Sequence, residues 1–141
     1  MSQATTLLRL QILAEHQYLN VLGACINGLI ERLDDIDEAE VLSYNVQLGV
    51  NEIFANIVDH AYAGEAGHWV DIVFSLQGDP RQFIIELHDS GCEFEPDCVA
   101  APNLDNIQIR GYGLFLAEQL MEQVEYQRRP DGNHWQLAKH L

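Results

Sequence analysis

Lysine is nearly absent from this chain. Lys139 is the single one in 141 residues, and no Gly-x-x-x-x-Gly-Lys precedes it, which excludes a P-loop nucleotide fold. Cations of any kind are scarce: seven Lys and Arg stand against 22 Asp and Glu, a formal charge of −15. Such a surface repels nucleic-acid phosphates and anionic lipid, so direct binding to either is disfavoured. A nucleotide bound here has to be held by backbone N–H groups, a metal ion or a few placed side chains. Cysteine is sparse too. Cys25, Cys92 and Cys98 are odd in number and lack C-x-x-C spacing, which argues against a disulfide framework and a structural zinc site. No run approaches about 18 apolar residues, so no membrane-spanning helix is expected. Met1 to Arg9 holds no signal-peptide core. The expected location is cytoplasmic, with reduced thiols.

What is present is a globular composition, with 48% apolar and 21% charged residues. A single domain over residues 1–141 is expected, large enough to fold without disulfide or metal. Thr5 to Leu13 is short, apolar and β-compatible, and suits an edge strand. Leu19, Leu22, Ile26, Leu29, Ile30 and Leu33 recur at three and four, one face of a helix. After the acidic run Asp34 to Glu40, with Asp37 able to cap, a second helix is predicted from Glu38 to Tyr62. Its core stripe is Val46, Val50, Ile53, Ile57 and Ala61, and Gly64 and Gly67 end it. Val70, Ile72, Phe74 and Leu76 then alternate with Asp71, Val73, Ser75 and Gln77, the pattern of a strand. Gly78-Asp79-Pro80 turns the chain into a second strand carrying Phe83, Ile85 and Leu87. Ser90 to Arg110 has no sustained period and reads as a long loop, with Glu95 to Arg110 expected to act as a lid. Leu114, Leu116, Ala117, Leu120 and Val124 give a short helix entered through Gly111 and Gly113. A closing hairpin pairs Val124–Arg128 with His134–His140 around Pro130-Asp131-Gly132-Asn133. The fold class is therefore α/β (α+β): a two-layer sandwich, mainly antiparallel mixed sheet, with helices on one face.

Three constellations carry possible chemistry. Helical steps bring Glu52, Asn56 and Asp59 to one side of the second helix, away from its core stripe. A solvated polar face explains that row; so does a pocket wall, where an amide oxygen serves Mg²⁺ and a carboxylate one turn away orients a nucleophile. His88-Asp89-Ser90-Gly91-Cys92-Glu93-Phe94 runs from an apolar strand into turn residues. It is a plain strand end, or it places a carboxylate to accept from an exocyclic amine such as that of adenine. Gly111-Tyr112-Gly113 opens a helix, as a cap or as a phosphate approach to exposed backbone N–H groups.

Taken together and in order, these segments resemble one family. Val50 to Tyr62, with Glu52-x-x-x-Asn56-x-x-x-His60-Ala61-Tyr62, is similar to the N-box of the GHKL ATPases, in the form found in bacterial anti-sigma factor serine/threonine-protein kinases. Asp89-Ser90-Gly91 resembles their first glycine box and Gly111-Tyr112-Gly113-Leu114-Phe115-Leu116 their second. The ending from Leu120 to Gly132 is similar as well. The resemblance implies a GHKL, histidine-kinase-like ATPase fold, ATP and Mg²⁺ as cofactors, and transcription regulation through protein partners. It implies Glu52 as the catalytic base or water-positioning residue, Asn56 as the Mg²⁺ ligand and Asp89 as the reader of the adenine amino group. Gly91 would give the nucleotide room, and Gly111, Gly113 and Leu114 would meet the phosphates, with Arg110 beside them. Tyr112 stands where relatives often place a basic residue, and Glu93 stands where the first glycine box usually has its second glycine. Glu93 adds a charge and disfavours positive φ. The implied partners are a sigma factor and a STAS-type anti-anti-sigma protein, with neither nucleic acid nor membrane and with a homodimer left open. The alternative is a non-catalytic nucleotide-binding module that switches a protein partner by occupancy.

Overall fold

The structure is a computed structural model, and it describes residues 4–94 and 113–141. Strand β1, Thr5–Leu13, leads through a short turn at His16–Tyr18 into helix α1, Leu19–Glu31. Helix α2 spans Ala39–Asn56 and runs on into a wider turn, Ile57–Ala61. Strands β2, Trp69–Gln77, and β3, Gln82–Asp89, form the first hairpin. Helix α3 covers 113–120, followed by β4, Gln123–Arg129, and β5, Gly132–His140. The order of elements is the one the periodicities predict. The loop assigned to Ser90–Arg110, and with it the lid from 95 to 110, falls almost wholly outside the described residues. So do Arg110, Gly111 and Cys98.

The five strands lie in the order β1-β2-β3-β5-β4, and every pairing is antiparallel. The expected mixed character is not found. β4 runs in the same direction as β3, but β5 pairs with both and lies between them, so no parallel pair forms. β1 is an edge strand, as its short apolar pattern suggests. One row across the sheet joins Leu10, Ile72, Leu87, Trp135 and Tyr126, and the next joins Arg9, Val73, Glu86, Gln136 and Glu125. The first row faces the helices. Leu22, Ile26 and Ile30 of α1 and Val46, Val50, Ile53 and Phe54 of α2 are buried in one cluster with Ile72, Phe74, Ile85, Leu87 and Leu137. Burying side chains of this size contributes about 1.5–3 kcal/mol each, which fixes the strand register and the helix faces together. No described helix is long and apolar enough to cross a membrane.

Four local boundaries differ from the sequence reading. Glu38, not Asp37, precedes α2 as its cap residue, in a left-handed conformation with φ 51° and without a side-chain cap bond. The second helix does not stay α-helical to Tyr62: Tyr62 N–H donates to Ile57 O over five residues, 3.1 Å, so the last turn is wider. Val124 belongs to β4 rather than to α3. The last turn is only Pro130-Asp131, because Arg129 already pairs with Gly132.

Candidate functional site

Glu52 and Asn56 stand one turn apart on α2, on the side turned toward α3. Two glycines allow the close approach. A Cβ on Gly49 would lie 3.2 Å from Met121 Sδ, and a Cβ on Gly113 would lie 2.7 Å from Glu52 Oε2. The Glu52 carboxylate thus lies against Gly113, the first described residue of the second glycine box. Asn56 is buried at 9% exposure. Asp59 does not join them. The wider turn at Ile57–Ala61 rotates it out of the row, and its carboxylate lies 2.8 Å from His16 Nε2 at the exposed surface.

Asp89 ends β3 and is 1% exposed. Its Oδ1 accepts from Gly91 N–H, 2.8 Å, and from Asn133 Nδ2, 2.8 Å. Burial pushes its pKa above the usual carboxylate value, while the Gly91 N–H, the Asn133 amide and the nearby His88 and Arg128 draw it back down. Three buried side-chain polar atoms lack a partner among the described residues: Asn51 Oδ1, Asn56 Nδ2 and Asp89 Oδ2. Unpartnered buried polar atoms are uncommon in folded proteins, and an absent ligand is one physical reason for them. Two of these three belong to residues singled out from sequence.

Gly91 stands at a close backbone approach. A Cβ there would lie 2.4 Å from the Ala61 carbonyl oxygen, and the same carbonyl accepts from Cys92 N–H at 2.8 Å. The glycine lets the loop after β3 seat on the wide turn after α2; the room is filled by backbone. Tyr62 secures this seat by donating to Trp69 O, 2.7 Å, and accepting from Ser90 N–H, 2.8 Å. Beside it lies an open groove of about 410 Å³, whose walls include Ala61, Glu65, His68, Cys92 and Arg128. Glu93 is exposed, and positive φ outside glycine occurs among the described residues only at Asp35, Glu38 and Ala63. The position occupied by Glu93 therefore does not demand a glycine backbone here.

Asn133, Tyr126, Arg128 and Gly132 were not singled out from sequence, and each braces Asp89. A Cβ on Gly132, at φ 142°, would lie 1.9 Å from the Asp89 carbonyl oxygen, so β5 can cross there only as glycine. Tyr126 meets Phe94 edge-to-face and Trp135 at a tilt, ring centroids 5.6 and 4.8 Å away, and its hydroxyl accepts from Phe94 N–H at 2.8 Å. The register β3·β5·β4 brings these residues together. Asp131-Gly132-Asn133 reads locally as a turn, and only pairing with β3 shows what it faces.

The antiparallel sheet with helices on one face is the fold of an ATPase domain of the histidine kinase type, and the chain belongs to the histidine kinase-like ATPase domain family, which matches residues 15–139. It is similar to a serine/threonine-protein kinase, BtrW, of Bordetella bronchiseptica: 32% identical over 103 residues, covering 70% of this chain and 71% of that one. It is also similar to the serine-protein kinase RsbW of Bacillus velezensis, 27% identical over 139 residues, with 90% and 81% covered. The Bacillus subtilis RsbW is 26% identical over 129 residues, with 85% and 77% covered.

Proposed function

We propose that this protein is an ATP-dependent anti-sigma factor serine kinase acting in the cytoplasm. In this reading it phosphorylates a STAS-type anti-anti-sigma partner and binds a sigma factor. The observations that support the reading are Glu52 placed against Gly113 and the buried, unpartnered Asn56 Nδ2 and Asp89 Oδ2. The names of the relatives, serine and serine/threonine kinases, support the same chemistry.

Asp89 Oδ2 accepts a hydrogen bond from the 6-amino group of the base. Backbone N–H groups at the start of α3, from Gly113 and Leu114 with Arg110 and Gly111 before them, meet the phosphates. Asn56 suits Mg²⁺: a half-turn of its amide presents an oxygen, and Mg²⁺ is usually held by one or two protein oxygens together with substrate phosphates. A Mg²⁺ ion held by Asn56 would supply neutralisation of charge on the phosphate oxygens. Glu52 takes the proton of the substrate serine as its Oγ attacks the γ-phosphorus. The bond from that phosphorus to the bridging oxygen breaks, and ADP leaves.

A second reading, a module that switches its partner by occupancy without transfer, is favoured by the exposed carboxylate of Glu93 directly after the Asp89-Ser90-Gly91 box. Glu52→Gln separates the two. It preserves shape while removing the base, so phosphate transfer to a cognate serine protein should fall about 10²–10⁴-fold with ATP affinity retained. A wild type that binds ATP and partner yet transfers no phosphate, with Glu52→Gln indistinguishable from it, would leave only the module.

A further inference from the structure

Asn133 is buried at 1% exposure, and all of its polar capacity is committed. Nδ2 donates to Asp89 Oδ1, 2.8 Å, and to Cys92 O, 2.7 Å. Oδ1 accepts from the Tyr126 hydroxyl and from Arg128 Nη1, 3.1 Å. Turning the amide over would set oxygen against two acceptors and nitrogen against two donors. Its orientation is therefore locked. Arg128 Nη1 also reaches Gly91 O at 2.9 Å, tying the same loop to β4.

The consequence falls on Asp89. Its Oδ1 receives two donors, from Gly91 and Asn133, while Oδ2 is buried with none. We propose that Asn133 is a positioning residue for base specificity: by holding Oδ1 it leaves Oδ2 as a single open acceptor, which takes a 6-amino purine and rejects a 6-oxo purine. The inference rests on the nucleotide reading above and goes beyond it in naming what keeps the carboxyl an acceptor. A 6-oxo purine presents a carbonyl at that position, so acceptor would meet acceptor. If the carboxyl carried a proton on Oδ2, it would donate instead and the preference would reverse. Burial drives the group toward that protonated form, and the donors on Oδ1 oppose it. The other titratable or charged groups facing Asp89 are Tyr62, His88, Tyr126 and Arg128. Both tyrosine hydroxyls already donate elsewhere, Tyr62 to Trp69 O and Tyr126 to Asn133, so the Asn133 amide is the adjustable donor.

The test titrates the full chain with ATP and with ITP, each with Mg²⁺, at about pH 6 and about pH 8, a carboxyl with a raised pKa being the more ionised at the second. ITP changes the 6-position without adding a 2-amino group. For wild type, ATP should be preferred by about a hundredfold or more at both pH values. Asn133→Asp keeps the shape but replaces the donor with a second carboxylate. The preference should then drop about tenfold or more and become pH-dependent, recovering toward pH 8. Tyr126→Phe, which unlocks the amide while leaving it in place, should shift the ratio the same way by less. It decides the matter if Asn133→Asp does not fold. A folded variant that loses affinity for both nucleotides equally, at a constant ratio, would show Asn133 to be only structural and overturn the proposal. Equal binding of ATP and ITP by wild type overturns it as well, yet leaves a nucleotide site. Binding of neither would overturn the nucleotide reading itself.

Discussion

A carboxylate as enclosed as Asp89 is expensive for the fold to keep. Its pKa is raised by burial, so between the ordinary carboxylate value and the raised one the native chain binds more protons than the unfolded chain. Stability therefore falls as pH rises through that window. Asp89→Asn retains an oxygen that can accept from Gly91 N–H and Asn133 Nδ2 while removing the charge. The melting temperature at neutral pH should rise, on the order of a few degrees, and the gain should shrink toward about pH 4 as Asp89 takes up its proton. ATP affinity should fall in the same variant, because an amide nitrogen then faces the base. Such opposition between stability and function is common at binding sites. Thermal melts at the two pH values with parallel ATP titration check it; a lower melting temperature at neutral pH would contradict the argument.

At the scale of elements, the site depends on two close approaches to backbone that only glycine allows. The loop after β3 meets the turn after α2 at Gly91, and β5 passes the Asp89 carbonyl at Gly132, whereas at Gly113 α3 meets only the end of the Glu52 side chain. Gly64 offers a control, since it has positive φ, 74°, but nothing within 4 Å of a Cβ. Gly64→Ala should cost about 1 kcal/mol, from backbone conformation alone. Gly132→Ala should cost more than about 2 kcal/mol, since the new atom meets backbone that cannot step aside. Denaturant titrations of the two variants give the comparison, and equal losses would show that the crossing is not tight. The strands and helices were legible because their apolar periods are long. The wide turn at Ile57–Ala61 was not, since its residues suit an α-helix; the loop seated on Ala61 and the bond from Tyr62 to Ile57 select the other geometry. That turn is why Glu52 and Asn56 stay together and Asp59 leaves them.

For the whole molecule the dominant quantity is the charge of −15, with one lysine and six arginines to offset it. Among the described residues four ion pairs join a histidine to a carboxylate, and a fifth joins Lys139 to Glu122. Self-repulsion should therefore be measurable. Raising ionic strength from about 0.01 M to about 0.15 M shortens the screening length from roughly 30 Å to 8 Å, and the melting temperature should rise with it. A melting temperature that is unchanged or falls with added NaCl would mean that local attractions outweigh the net charge. The sequence by itself determined the layering, the order of strands and helices, the acidic surface and the family resemblance, because periodicity, composition and motif spacing are properties of the chain taken in order. It also placed Glu52, Asn56 and Asp89 among the residues to watch. Only the tertiary structure decided that Asp89 is braced by Asn133, with Tyr126 and Arg128 holding that amide, that Gly91 seats against the Ala61 carbonyl, and that Asp59 turns to His16. Each of those rests on contacts between residues distant in sequence, set by strand order and register, and no local pattern encodes a partner some 40 residues away.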